Sequence, residues 1–459
     1  MPQGAPAARA GGGRDRGVDN RSRWGRGACQ AEPVHDLDSA LDVIRARDDT
    51  AAKHAHALWH VMRATAAHPT KVTRYDVQQM VWRTLPGAHV RPGGDGAFED
   101  LHGTCDAFAE LLHLLGHERY AEVCRSPVTH RILDAAGDPV RYPELVARAW
   151  AESGVQPPDT PVLTWSDQGG PVETALHAAC GRLLEEAVEA GTLPADGSGE
   201  PMRVGLVMRL LTSPEAEGEE TWFARLLDER LDAWIPGRGS QTRREMLVRL
   251  RPEVRRAPET TEDRLPALLV LLESCRGAGA RLTASGYLPT ALVASLAAAM
   301  PACRATTTAG RSESHWPPVA LLRTLAESMH LVERTAGRLR TTDQGTCLID
   351  DADSLLMTVG ERLITADRTI PGPAAEAVLA ALLLEDRMAP ARITEKVGHV
   401  LSEEGLPGDP RLHTTTFLTH LRVLDATDAD ATARRVGLTP AGRALARWSL
   451  RARVLFPTR

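Results

Sequence analysis

Sixteen histidines give the chain its most evident opening for metal chemistry, and His54, His56 and His60 fall within about two helical turns of one another. His102, Cys105, His113 and His117 follow, and the spacing of His113 to His117 lets two imidazoles share an ion if both lie on one helix. A zinc site needs about four ligands converging on one point. No H-E-x-x-H, paired C-x-x-C or comparable frame supplies them, so the expectation is no metal ligand and no cofactor. Glu185-Glu186, Glu219-Glu220 and Asp350-Asp351-Asp353 read as solvated charge or helix-dipole partners, not catalytic acids. Neither G-x-x-x-x-G-K-[ST] nor G-x-S-x-G occurs, and Gly11 to Gly13 and Gly93-Gly94 follow no strand-like segment. No catalytic residue is assigned, and the expectation is a protein that is not an enzyme.

Charge gives the other chemical signal. The chain carries 54 basic and 60 acidic residues, a net −6, so binding to a polyanion would have to come from a local patch. Such a patch exists from Ala431 to Arg459, which holds Arg434, Arg435, Arg443, Arg447, Arg451, Arg453 and Arg459 and no acid. The seven cysteines are scattered and read as reduced, mostly buried thiols. No apolar run approaches the ~18 residues of a membrane span and the start lacks a signal-peptide stretch, which makes the cytoplasm the expected location and a membrane partner unexpected.

The elements that must position these residues are mainly helical. Residues 1–34, rich in Gly, Ala, Pro and Arg, are expected to be a disordered tail. Residues 35–260 read as a helical domain that the loops at Pro157-Pro158, Gly191 to Pro201 and Gly237-Arg238-Gly239 divide into sub-bundles. Within it Thr73 and Asp76 resemble a capping box, Pro86-Gly87 should stop that helix, and the stretch from Phe98 to Leu115 keeps helical spacing up to Gly116.

After about Thr261 short strands join the helices. A first module over 261–368 has a helix through Leu265 and Leu272, a strand at Arg281-Leu282-Thr283, and helices from Pro289 to Met300 and Pro317 to His330. A hairpin of Leu331–Arg334 and Arg338–Thr341 closes it. After a Pro371-Gly372-Pro373 linker, a second module over 371–459 repeats the scheme: three helices, a hairpin within Val423 to Leu438 with Asp428 to Asp430 near its turn, and a last helix with Leu445, Trp448, Ala452 and Leu455 facing inward. A threonine three residues before a glycine recurs at Thr283/Gly286, Thr342/Gly345 and Thr439/Gly442, where it suits a strand end followed by a helix N-cap.

Arg338 to Gly345, and more clearly Val436 to Leu445, resemble the wing and closing helix of winged helix-turn-helix proteins, many of them bacterial transcription regulators. Arg281 to Pro289 also resembles a helical segment of uncharacterised actinobacterial and plasmid-encoded proteins, a likeness that carries no activity. The first resemblance implies a third helix that reads the major groove and a wing on the phosphates. In the second module that helix would present His413, Thr414, Thr416, Thr419 and His420, with charge at Arg411 and Arg422. Arg434 and Arg435 would lie on the wing, and Arg443, Arg447 and Arg451 along one face of the last helix. The first module's third helix offers Arg323 against Glu327, which cancel. The leading expectation is a non-enzymatic regulator binding duplex DNA through His413, Thr414, Thr416, His420, Arg434, Arg435, Arg443 and Arg447. The alternatives are a scaffold whose winged helices only dimerise or dock on a protein, and a metal-dependent enzyme using the N-terminal histidines.

Overall fold

The capping pair read from Thr73 and Asp76 is formed. The Thr73 amide donates to Asp76 Oδ2 at 3.0 Å and the Asp76 amide to Thr73 Oγ1 at 3.1 Å, which satisfies two amides that a helix start leaves unpaired. The computed structural model describes residues 36–65, 72–90, 100–166, 169–194, 198–214, 220–256, 265–300, 312–428 and 434–456. The tail 1–34, the glycines at 11–13 and 93–94, Glu219, residues 429–433 of the expected second hairpin and Arg459 lie outside the described residues. Among the described residues the chain is mainly helical with one small antiparallel sheet. It separates into one unit of Met1–Ala64 with Val77–Val146 and a second of Thr65–Asp76 with Ala147–Arg459.

In the first unit stand α1 (Leu37–Arg45), α2 (Asp49–Thr65), α4 (Leu85–Val90), α5 (Leu101–Leu114), α6 (Glu118–Arg125) and α7 (Pro127–Asp134), while α3 (Arg74–Gln79) and α8 (Arg141–Ser153) cross the division along the chain. Pro86-Gly87 does not stop a helix, contrary to expectation. A wider π-turn over Met80–Thr84 leads straight into α4, which contains both residues. Proline has no amide for the Trp82 carbonyl one turn back, and the Tyr142 hydroxyl donates to that oxygen instead, at 2.8 Å. Helix α5 ends as read, with Gly116 at φ 77° and the His117 amide reaching back to the Leu112 carbonyl at 2.8 Å.

The second unit opens with α9 (Pro171–Glu189), α10 (Glu200–Thr212), α11 (Trp222–Trp234) and α12 (Gln241–Arg255). The first module follows as α13 (Pro266–Cys275), β1 (Ala280–Arg281), α14 (Thr290–Ala298), α15 (Pro317–Ser328), β2 (Val332–Thr335) and β3 (Arg338–Thr341), then α16 (Asp343–Leu348) and α17 (Ala352–Leu363). Its sheet has the order β1-β3-β2, with Ala280 opposite Leu339 and Val332 opposite Thr341. The second module contains α18 (Gly372–Leu384), α19 (Pro390–Glu403), α20 (Pro410–Val423) and α21 (Pro440–Leu455). Among its described residues, in place of full strands, stand two antiparallel bridges, Met388 to Val436 and Thr427 to Leu438. These preserve the strand order of the first module, because the segment that closes the hairpin again lies between the other two.

Two of the three threonine–glycine junctions are the same device. Thr342 and Thr439 each accept from the glycine amide three residues on, at 3.0 Å. Each donates its hydroxyl to the carbonyl of a left-handed residue just past the preceding helix, His330 (φ 53°) at 2.9 Å and Asp425 (φ 57°) at 3.0 Å. The third differs. Thr283 and Gly286 close a tight turn, with the Gly286 amide on the Thr283 carbonyl at 2.8 Å, and the next helix starts only at Thr290.

The boundary expected near residue 260 is not where the cores part. One continuous apolar cluster runs from Leu163 to Phe456 and takes in Leu226, Leu250, Leu322, Leu382 and Trp448. Helices α11 and α12 both pack on α21, and α12 also packs on α18 and α19. Long-range packing, invisible to composition, assigns residues 147–256 to the modules that follow.

Candidate nucleic-acid interface

A DNA-reading third helix must carry its polar groups outward, and α20 carries three of the expected ones inward. Thr414 and His420 are 0% and 1% exposed and His413 8%. Thr416 is half-buried, as is Thr419, and the exposed positions are Arg411, Leu412 and Thr415. The period of the helix explains this correction. His413 stands four residues before the buried Phe417 and His420 three after it, so both fall on the apolar stripe. Thr414 spends its hydroxyl on the Pro410 carbonyl at 2.7 Å. His420 lies edge-on to Phe417, with Nε2 at 3.5 Å from Asp367 Oδ2.

The basic last helix is corrected in the same way. Arg447 is 8% and Arg451 3% exposed. Arg447 reaches Glu253 at 2.6 Å, and Arg451 donates from Nε to the Val254 carbonyl at 2.9 Å and from Nη2 to that of Arg256. Burial, with Arg447 alongside, pulls the pKa of Arg451 down to about 10. Arg453 pairs with the buried Glu376 at 3.1 Å and Arg443 with Asp386 at 2.8 Å. The acid-free run therefore meets its acids and carbonyls in α12, the end of α12, α18 and the α18–α19 turn. Of the expected contacts, Arg434 and Arg435 are exposed.

The first module offers less. On α15 the exposed residues are Pro317, Thr324 and Ser328. Arg323 is buried between Glu313 at 3.1 Å and Glu327 at 3.8 Å, so the cancelling pair read from sequence gains a second acid. The third helices also meet, since α15 packs on α20. No family model, curated protein or solved structure matches the chain.

Beside this contact lies an open cleft of about 1040 Å³ whose walls include Ser328, His330, Glu361, Arg362, Asp367 and Arg368. Its charged side chains share the walls with Ile364, Ala366, Ile370 and Pro371, so the crevice is mixed in character and lacks the predominantly apolar lining of a typical ligand pocket. Among the described residues no group of three or more His, Cys, Asp or Glu side chains could hold a metal ion. The histidines pair off instead. His102 stacks on His130 and touches Asp134 at 2.9 Å, His54 meets Thr104 at 3.1 Å, and His113, on α5, pairs with Glu118 while His117 lies beyond the end of that helix. Among the described residues no helix is long and apolar enough to cross a membrane.

His420 links this contact to pH. Burial holds its pKa below the ordinary imidazole value, and Asp367 pulls weakly the other way. The unfolded chain then takes up the proton more readily than the folded one, so the contribution of His420 to stability is present above about pH 6.5 and is lost as pH falls through and below it. His117 shifts in the same direction through partial burial. Urea unfolding between about pH 7.5 and 5.5 should therefore show falling stability, with a shallower slope in His420→Gln. Equal slopes in the two proteins would remove His420 from the account.

Proposed function

We propose that the chain is a non-enzymatic regulatory scaffold whose two winged-helix-like modules dock on each other and on α9–α12, and whose exposed surface serves protein contact. The observation that carries this reading is the inward placement of His413, Thr414, His420, Arg447 and Arg451, the groups a DNA-reading module would need outside. A second reading, regulation through duplex DNA, is favoured by one feature. Arg434 and Arg435 are exposed, and on a wing phosphate contact would require charge without base recognition.

Titration of the full chain with duplex DNA over a salt series separates the two. The scaffold reading expects at most non-specific binding, with a Kd of about 10⁻⁴–10⁻⁶ M near physiological salt and no preference among sequences. Light scattering should then show self-association, or cross-linking should give a defined protein adduct. Sequence-selective binding that survives physiological salt and disappears in the Arg434→Glu, Arg435→Glu double variant would overturn it in favour of the DNA regulator.

A further inference from the structure

We propose that His56 and His60 on α2 form a two-imidazole site for a divalent transition-metal ion that prefers right-angled ligands, copper(II) first and nickel(II) next. The two residues lie one helical turn apart, both exposed, with their Nε2 atoms 2.8 Å from each other and their rings at 88°. Metal–imidazole bonds are about 2.0–2.1 Å. Two such bonds at a right angle put their nitrogens about 2.9 Å apart, whereas a tetrahedral ion needs about 3.3–3.4 Å. The observed separation fits adjacent corners of a square-planar or tetragonal ion, the geometry of Cu(II) and Ni(II) with nitrogen donors. Water fills the remaining positions, since the site is open.

The surroundings favour a cation more than the sequence suggests. Lys53, one turn before His56, is held by Asp49 at 2.6 Å, and Arg63 lies over the Trp59 ring at 5.8 Å. Both neighbouring charges thus have partners of their own. His54 turns to Thr104 on α5 at 3.1 Å and takes no part. In the metal-free chain one imidazole Nε2–H donates to the other Nε2. On metal binding that proton moves to Nδ1 by tautomerism, which frees both Nε2 lone pairs without changing the charge of either ring.

The test is calorimetric titration of the metal-free full chain with CuCl2, NiCl2 and ZnCl2, with electron paramagnetic resonance of the copper form. The affinity order should be Cu, then Ni, then Zn, with nitrogen hyperfine structure from two imidazoles. His56→Asn and His60→Asn should each weaken copper at least about tenfold, the low end of what losing even an outer-shell partner costs. His102→Asn should leave the titration unchanged, and thermal melts of the exposed variants should overlay the parent. Copper binding unchanged in both His56→Asn and His60→Asn, or zinc held as tightly as copper, would overturn the proposal.

Discussion

Replacing Arg230 by alanine should remove about 3–5 kcal/mol of stability, the range for stripping one partner from a buried ion pair. Arg230 and Glu173 are 8% and 3% exposed. The guanidinium donates from Nε to Glu173 Oε2 at 3.0 Å, from one terminal nitrogen to the Leu455 carbonyl at 2.9 Å, and from the other to the Thr164 carbonyl at 2.8 Å. One side chain thereby joins α9, α11, the loop before α9 and the end of α21, whose Leu455 carbonyl also accepts the Thr164 amide at 3.1 Å. Its loss leaves Glu173 charged, buried and held only by the Ser166 amide at 2.7 Å. The melting temperature should fall by several degrees, since a unit of this size shifts by less than the roughly 2–4 °C per kcal/mol of a 150–250-residue domain. Arg230→Lys should rescue little, because one ammonium cannot reach these three acceptors in different directions. The double variant Arg230→Met, Glu173→Gln should be milder than Arg230→Ala alone, since no lone charge stays behind. A loss below about 1 kcal/mol for Arg230→Ala would mean that this contact does not hold the last helix in place.

What the sequence made legible was local. The Thr73–Asp76 pair, the hairpin of Leu331–Arg334 and Arg338–Thr341, and the threonine caps at 342 and 439 all rest on groups within a few residues of one another, so spacing is enough to find them. The sheet of the first module could be placed because Leu339 alternates with Arg338 and Arg340, inward against outward. The candidate interface was not legible, for two physical reasons. His413 and His420 keep apolar spacing around Phe417, and their polarity outweighed the period that buries them. The arginines of α21 read as an open, polyanion-facing patch because no acid lies near them in sequence, yet Glu253 is almost 200 residues away along the chain and 2.6 Å away in space. A buried arginine was signalled only weakly, by Arg447 and Arg451 flanking Trp448 and Leu450 on a helix with apolar residues on every side.

Gly442→Ala should be as damaging as many core truncations, although it adds a single methyl group. A Cβ at residue 442 would stand 1.8 Å from the Ala426 carbonyl oxygen and 2.6 Å from its carbon, and neither atom belongs to a side chain that can swing away. The Ala426 carbonyl also accepts the Thr439 amide at 3.1 Å, and the Thr439 hydroxyl holds the Asp425 carbonyl at 3.0 Å. Relief of the clash must therefore pull the start of α21 off the turn after α20 and stretch both bonds. Overpacking of a core ordinarily costs about 1–3 kcal/mol, and a fixed backbone obstacle places this substitution at or above the upper end. Gly345→Ala, 2.1 Å from the Leu331 carbonyl oxygen, should behave alike in the first module. Gly286→Ala provides the contrast within the same sequence pattern. Its added methyl meets nothing within 4 Å, and the penalty is only that of a left-handed backbone at φ 76°, about 1–2 kcal/mol. Denaturant unfolding of the three variants should therefore rank Gly442→Ala and Gly345→Ala well below Gly286→Ala. If Gly286→Ala proved the most destabilised, backbone conformation and not close approach would be what these glycines supply.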